Sequence, residues 1–327
     1  MAKKIRIKLI GVIIGLTGLM PAAAAAQQKG GRRPPGFFEF LLQPKYIFML
    51  LIGFAALALL LSRNMKIKVK VPLLLLSTFL FGISANLPLK LFDSFSMHPS
   101  PICATTKCIL YGFRIPMIVT LAVIMFLTLI GPKLFCGWVC PVGAAQELIA
   151  GWADKLKIRR IKWNFAFTQT IRLGVFLLFV FLSGTAILHT LSNGKKIPIS
   201  VYDYFNAFHG FELQLQPTLL DNIIHFVPFL LTLVFAFKFY RPFCYLICPI
   251  GLFTNLVEQI ALFRVSLKGR SCTQCGVCVK EAPCPAVPEI LKNAVLRPDC
   301  FSCDVCVKVS PQKALTYGIR RQKENGI

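Results

Sequence analysis

The sequence predicts a mainly α-helical membrane protein that crosses the bilayer several times and ends in a small cysteine-rich domain. Three observations carry this prediction. The chain of 327 residues is 56% hydrophobic, and its apolar residues are concentrated in long runs. Lys and Arg outnumber Asp and Glu by 37 to 13 and fall between those runs, which favours basic cytoplasmic loops over a nucleic-acid-binding surface. The 13 cysteines have spacings that are typical of metal ligands rather than of disulfides.

The N-terminal segment is predicted to be a secretory signal peptide, or an uncleaved anchor built in the same way. A basic segment precedes an apolar stretch at 9–20, and an alanine run follows it. We expect cleavage near Ala26, so that residue 27 emerges on the far side of the membrane. The chain then divides into the signal segment or anchor at 1–26, a transmembrane helical domain at 27–262 and a C-terminal domain at 263–327.

Five further apolar runs without charged residues predict five membrane spans. Each has about 16–22 residues, close to the length that one helix needs to cross the hydrocarbon layer. The runs are 46–62, 71–89, 115–132, 173–194 and 222–237.

The loop charges predict the orientation of these spans. Basic residues cluster at 63–70, at 155–162 and, after the fifth run, at 238–270. The positive-inside rule places all three groups in the cytoplasm. An exported residue 27 followed by five spans also places the C-terminus there. We therefore expect a multi-pass protein of the bacterial cytoplasmic (inner) membrane with a cytoplasmic C-terminal domain.

Two loops, at about 90–114 and 195–221, are then external. The first contains Cys103 and Cys108, which are expected to form a small disulfide in an oxidising compartment; an exposed redox-active or metal-binding pair is the alternative. The histidines of the chain lie in or beside these loops: His98, His189, His209 and His225. They are either unrelated polar residues or the quinone-side groups where a quinol would release protons.

An internal repeat follows two of the spans. The segments 133–148 and 241–256 both contain a basic residue, then Phe-Cys-x3-Cys-Pro, then a glycine. The proline after each second cysteine disfavours a simple helix. Two parallel copies at the cytoplasmic membrane face would bring together four soft thiolates, which suit an iron–sulfur cluster, Cu(I) or Zn. These are Cys136, Cys140, Cys244 and Cys248. Buried, inert cysteines beside a conformational proline are the alternative.

The C-terminal domain has the ligand pattern of a two-cluster ferredoxin. In that pattern a Cys-x2-Cys-x2-Cys triplet binds one 4Fe-4S cluster, and a distant Cys-Pro cysteine ligates the other cluster. Zinc sites more often use paired CxxC elements. One complete set of four thiolates is predicted: Cys284, Cys300, Cys303 and Cys306. The first triplet, Cys272, Cys275 and Cys278, is separated from Cys284 by five residues instead of three.

That first triplet lacks a fourth thiolate, because Ser310 precedes Pro311 where the pattern requires cysteine. Three alternatives remain open. Ser310 or a water could hold the fourth iron, the site could be a three-iron cluster, or a thiolate could come from elsewhere. We expect the tail still to relay electrons, with an altered potential.

Paired FCxxxCPxG units after membrane spans, followed by a two-cluster ferredoxin tail, resemble the NapH/NosR family of membrane polyferredoxins. Relatives of that family include cytochrome oxidase accessory proteins of the CcoG type. The resemblance covers roughly residues 110–311. It implies an inner-membrane electron-transfer protein, tied to quinol oxidation or to a periplasmic reductase, in which the eleven cysteines of the two repeats and the tail are the ligand positions.

The expected function is therefore electron transfer that links the quinone pool or cytoplasmic donors to a periplasmic or membrane redox partner. The expected cofactors are two 4Fe-4S clusters in the tail, a further metal or cluster at the CxxxCP cysteines, and quinone. The chain could serve as a quinol dehydrogenase-type subunit. Copper or metal handling, or reduction, during assembly of a respiratory metalloenzyme is the alternative, and a redox or iron sensor is a third.

Overall fold

The structure is a computed structural model. It describes residues 36–63, 65–84, 93–95, 100–105, 114–193, 208, 211, 219–268, 272–294 and 296–319. The predicted signal peptide, Cys108, His98 and His209 lie outside the described residues. His189 and His225 lie on described helices, but their side chains are outside the description.

The described chain is mostly helical, as the sequence predicts. Its main elements in chain order are α1 (Phe37–Leu41), α2 (Pro44–Leu61), α3 (Ile67–Thr78), α4 (Ile115–Ile130), α5 (Pro141–Lys155), α6 (Phe165–Asn193), α7 (Leu219–Phe235), α8 (Ile250–Val257), β1 (Phe263–Leu267), α9 (Val277–Glu281), α10 (Val287–Leu291), α11 (Val305–Val309) and β2 (Leu315–Ile319). Proline occupies the first turn of α2, α4 and α5, where its missing N–H leaves no helical hydrogen bond unmade.

Each of the five predicted apolar runs contains a helix, namely α2, α3, α4, α6 and α7. Within the part of the chain that the structure describes, two stretches are long and apolar enough to cross a membrane: Pro44–Leu61, with a mean hydropathy of 2.1, and Phe165–Leu182, with 1.9. The apolar helices Ile115–Ile130 and Phe226–Phe235 are shorter. The other three spans stay predictions.

The helical part is held together by close approaches between helices. A Cβ atom on Gly53 of α2 would lie 2.7 Å from the Leu127 side chain of α4, so this glycine lets the two helices meet. Between the same helices, Tyr46 and Thr120 share a buried hydrogen bond of 2.8 Å. Ser77 near the end of α3 donates to the backbone oxygen of Trp138 at 2.6 Å. This contact anchors the first CxxxCP segment against α3.

The C-terminal domain at 263–327, the tail, contains a two-stranded antiparallel sheet that joins its two ends. Strand β1 precedes the cysteine triplets and β2 follows them, with Phe263 opposite Ile319 and Leu267 opposite Leu315. The central pair, Val265 and Tyr317, is buried. The sheet therefore brings the two ends of the cysteine-rich domain together.

The tail packs directly on the helical part. The backbone N–H of Leu262 donates to the oxygen of Leu129 at 2.8 Å, and the Ser302 hydroxyl donates to the oxygen of Pro132 at 2.7 Å. The indole N–H of Trp138 donates to the oxygen of Ser302 at 3.2 Å. A single hydrophobic core runs through both parts. The tail cysteines are therefore held at a defined position relative to the CxxxCP segments.

Candidate metal centre

The two CxxxCP segments adopt the same backbone. Each first cysteine lies in a π-helical turn, Phe135–Val139 or Phe243–Ile247. The N–H of Cys140 donates to the oxygen of Phe135 at 2.9 Å, and the N–H of Cys248 donates to that of Phe243 at 3.0 Å. Both second cysteines are extended, with ψ of 121° and 113°, because a proline follows each. The prediction that these segments are not simple helices is confirmed.

The four CxxxCP cysteines line one small cavity. Cys136, Cys140, Cys244 and Cys248 are all buried. The cavity has a volume of about 20 Å³ and is closed by aromatic side chains that include Phe208 and Phe301. The structure thus brings together the four thiols that the repeat predicts to be neighbours.

The two repeats exchange contacts across this cavity. Arg241, the basic residue of the second repeat, donates to the oxygen of Cys136 in the first at 2.7 Å. Lys133, its counterpart in the first repeat, donates to the oxygen of Gly251 in the second at 2.9 Å. Gln146 of the first repeat reaches the sulfur of Cys244 at 3.6 Å. Each repeat therefore completes the other, as expected around a pseudo-two-fold axis.

Glycine is required after each Cys-Pro pair because another group occupies the space of a Cβ atom. A Cβ on Gly143 would lie 2.1 Å from the oxygen of Cys136, and one on Gly251 would lie 2.1 Å from the Arg172 guanidinium. Arg172, from α6, donates to the oxygen of Cys244 at 3.2 Å. It occupies the same place in the second repeat that Arg241 occupies in the first.

Two buried carboxylates pair with these cations. Glu147 accepts hydrogen bonds from Tyr240, Lys70 and Arg241. Burial alone would raise the pKa of Glu147, but the neighbouring Lys70 and Arg241 hold it well below its usual range. This network lies on the first-repeat side of the cavity.

Asp299, a residue of the tail, pairs with the buried cations on the second-repeat side of the cavity. Its carboxylate is fully buried and pairs with Lys133 at 2.9 Å and Arg172 at 2.7 Å. Asn255 donates to it at 2.9 Å. Burial would raise the pKa of Asp299, and the two cations outweigh this and lower it. Because Cys300 follows directly, this ion pair places a tail cysteine beside the repeats.

Burial raises the pKa of each CxxxCP thiol, that of Cys136 to about 12. Binding of a metal or cluster would therefore release protons. The backbone N–H of Gly143 points to Cys140, and those of Ile250 and Gly251 point to Cys248, which favours the thiolate forms. Amide donors at a helix start commonly stabilise a thiolate in this way.

The tail separates its cysteines into two groups. Cys284 lies close to Cys300, Cys303 and Cys306; burial raises its pKa, and the charges of Cys303 and Cys300 add to this effect. Cys284, Cys303 and Cys306 are buried, and Cys300 is partly buried. This is the set that the cross-ligation pattern predicts. In the second group, Cys275 is exposed, Cys272 is partly buried and Cys278 is buried.

The backbone repeats itself within the tail. Gly276 has φ 72° and ψ −2°, and Asp304, at the matching position before a helix, has φ 67° and ψ −1°. The residues that directly follow α9 and α11, Ala282 and Ser310, are both extended and both followed by proline. Ser310 is thus the structural counterpart of Ala282, and Cys284 comes two residues later. Neither half has cysteine at the position after its helix.

The Ser310 hydroxyl is engaged in the fold. It is buried and accepts the N–H of Leu315 at 3.1 Å, at the start of β2. This contact gives Ser310 a structural role whichever group completes the first triplet.

Comparison with known proteins agrees with the use of cysteines as iron–sulfur ligands. A family model described as a 4Fe-4S binding domain matches residues 113–164 and 222–268, which contain the two CxxxCP segments. The chain is 26% identical over 170 residues to the methylamine utilization ferredoxin-type protein MauN of Methylobacillus flagellatus, covering 51% of this chain and 54% of the relative. It is 27% identical over 168 residues to the putative electron transport protein YccM of Escherichia coli, covering 50% and 44%.

The regulatory protein NosR of Stutzerimonas stutzeri is 26% identical over 159 residues, which cover 48% of this chain and 21% of NosR. These similarities support a NosR/NapH-type polyferredoxin family for the chain. The identity is modest, and the chain spans about half the length of MauN and YccM. No solved structure matches it.

The cysteines of the two repeats and the tail fit iron–sulfur chemistry by donor type. Thiolates are the protein ligands of such clusters, and two convergent groups of four cysteines lie in the described chain. Among the residues that the structure describes, no three His, Cys, Asp or Glu side chains are arranged to hold a single metal ion directly. The thiols are grouped around shared centres without forming a compact single-ion site.

Sequence reasoning missed the charged residues that surround the CxxxCP cavity. Arg172, Glu147 and Asp299 are buried ion-pair partners around the cavity, and Glu258 is a buried carboxyl with one oxygen lacking a hydrogen bond. Burial raises the pKa of Glu258 well above its usual range. The available signal was the rarity of carboxylates, 13 in the chain, together with their position inside or beside motif cysteines.

Proposed function

We propose that the chain is a membrane-bound iron–sulfur protein that passes electrons between its tail cysteines and its CxxxCP cysteines. One observation carries the proposal. Phe301 follows the tail cysteine Cys300 and also lines the cavity of the four CxxxCP thiols. Its ring lies 5.3 Å from that of Tyr245, centroid to centroid. A single residue thus bridges the two groups of thiols, and electron transfer is fastest over short separations.

The buried cations support this proposal. Thiolates that hold iron–sulfur clusters carry negative charge, and the clusters supply one-electron chemistry when bound. Lys133, Arg172 and Arg241 surround the CxxxCP cavity and would offset that charge. Arg241 also lies 4.7 Å from the Phe301 ring centroid. These residues fix the position of the bridge and exclude water from it.

The membrane placement is part of the proposal. Two helices of suitable length and composition support it, and so does the distribution of basic loops. Electrons would then move between the cytoplasmic tail and the quinone pool or a periplasmic partner. A C-terminal green fluorescent protein fusion should fluoresce, and an alkaline phosphatase fusion at the same point should be inactive. An active phosphatase fusion would reverse the orientation.

Iron and acid-labile sulfide content with EPR tests the cofactors. The full chain is purified anaerobically and measured as isolated, after dithionite and after addition of quinol. Two complete clusters correspond to about eight irons, and an excess would place a further cluster on the CxxxCP cysteines. About seven irons with a three-iron signal would show that Ser310 ligates none. Absence of iron and sulfide would overturn the proposal.

Cysteine variants assign the signals. Cys300→Ser should remove the signal of the complete tail set, and Cys136→Ser should change reduction by quinol while leaving dithionite reduction of the tail intact. Cys103→Ser/Cys108→Ser is the matched control, because this pair lies outside both groups of cysteines and changing both leaves no unpaired thiol. If quinol reduces nothing in the wild type, the link to the quinone pool is wrong.

Copper handling is the second candidate, and the type of donor favours it, although the described thiols would have to draw closer together to hold one ion. About 20 Å³ is room for one water-sized atom, and four thiols suit Cu(I). Titration of Cu(I) against a chromogenic chelator should then show one tight site in the wild type and none in a Cys136→Ser/Cys244→Ser variant. Equal binding by both proteins, or none, would exclude this role.

A further inference from the structure

A large groove separates the helical part from the tail. It has a volume of about 1530 Å³. Its walls come from the start of α3, from α5, from the loop after α5 and from tail residues next to Cys284 and Cys306. The groove is open to solvent along one side and is distinct from the CxxxCP cavity.

The groove is strongly cationic. Eight Lys or Arg residues line it against three carboxylates, an excess of five positive charges. Two of the carboxylates are already paired, Glu147 with Lys70 and Asp154 with Arg160. The cations are Lys70, Lys155, Arg159, Arg160, Lys162, Lys238, Lys280 and Lys308. The surplus charge favours an anionic occupant.

The walls are apolar as well as cationic. The apolar lining includes Val71 and Leu74 of α3, Leu148 of α5, Ile161 and Val309. At the rim Trp152 is 64% exposed. Exposed tryptophan beside lysine and arginine is typical of the membrane–water interface. A wholly polar anion would leave the apolar walls unused.

We propose that this groove binds an anionic phospholipid of the cytoplasmic leaflet. The headgroup phosphate contacts the exposed Lys155, Arg159 and Lys238, and an acyl chain lies along the apolar wall. Basic pockets at the cytoplasmic ends of membrane helices bind such headgroups. A neutral quinone headgroup would leave the five surplus positive charges without a counter-charge. The rigid surface of an acidic protein would not fit into a concave groove. The inference rests on the proposed membrane placement and is independent of the proposed clusters.

Native mass spectrometry of the full-length, delipidated protein in detergent tests the proposal. The probes are phosphatidylglycerol and phosphatidylcholine with identical acyl chains, with inorganic phosphate as competitor. We expect phosphatidylglycerol to bind at least about tenfold more tightly, and equimolar phosphate not to displace it. Equal binding of the two lipids would overturn the proposal, and displacement by phosphate would reduce the site to one for a free anion.

Charge variants locate the site. Lys155→Gln/Arg159→Gln/Lys238→Gln should lose about tenfold in affinity for phosphatidylglycerol. Lys268→Gln/Lys292→Gln/Lys313→Gln is the matched control, since it removes the same charge away from the groove lining. Equal affinity of the two triple variants would refute the assigned site, as would recovery of a bound quinone or acidic protein from the groove. Iron content in the same samples is unaffected by lipid binding and reports separately on the cluster proposal.

Discussion

Replacement of Asp299 by asparagine should undock the tail from the CxxxCP repeats. Asp299 is fully buried between Lys133 and Arg172, which are also fully buried. The variant keeps the shape of the side chain but leaves two buried cations without their carboxylate. Removing one partner of a buried ion pair costs about 3–5 kcal/mol, a large fraction of the roughly 5–15 kcal/mol that stabilises a typical domain.

The assay is equilibrium unfolding followed by tryptophan fluorescence, because Trp138 donates to the tail residue Ser302 and reports on docking. The matched control is Asp304→Asn. Asp304 pairs with the half-exposed Lys308 at 3.4 Å, and its positive φ of 67° suits asparagine. We expect the control to cost about 1 kcal/mol or less. If Asp299→Asn costs no more than Asp304→Asn, the buried ion pair does not hold the tail.

Three further predictions follow from the same geometry. Gly143→Ala should destabilise the protein by about 1–3 kcal/mol in thermal unfolding, because the oxygen of Cys136 must move. Gly151→Ala, in the same helix with open space around it, should be neutral or stabilising by up to about 1 kcal/mol, and equal effects would contradict the steric argument. Because the folded pKa of Glu147 is lowered, its contribution to stability is complete above the unfolded pKa of about 4.3 and is lost as pH falls through the folded pKa. Unfolding free energies between pH 7 and pH 3 should therefore fall less steeply for Glu147→Gln than for the wild type, and parallel curves would refute this assignment. Ser310→Cys restores the ferredoxin pattern, so its iron should be lost more slowly in air than that of the wild type, measured by iron content over time; unchanged loss would show that position 310 does not face the first triplet.

Local patterns predicted the helices and the cysteine groups well. Each apolar run contains a helix, since apolar composition and length act over one segment. Proline after Cys140 and Cys248 correctly predicted an extended residue there, because the restriction acts on the adjacent residue. The repeat also predicted that the four CxxxCP thiols would lie together. The outcome for the spans was partial, because among the described residues two helices meet the length and composition of a membrane span where five were predicted in the whole chain.

Tertiary structure alone decided which charges surround the thiols. Arg172 and Asp299 are 127 residues apart, and Glu147 and Arg241 are 94 apart. No local pattern carries such pairings, because they depend on how helices and tail pack.

By itself, the sequence determined the helices, the CxxxCP and tail cysteine motifs and the basic loops, because those features depend on composition and spacing along the chain. Only the folded structure showed that Asp299 and Phe301 join the tail to the CxxxCP cavity. It also showed a cationic groove between the helical part and the tail. These features arise where distant segments meet. A buried carboxylate is stable at such a place only when cations from other segments arrive there.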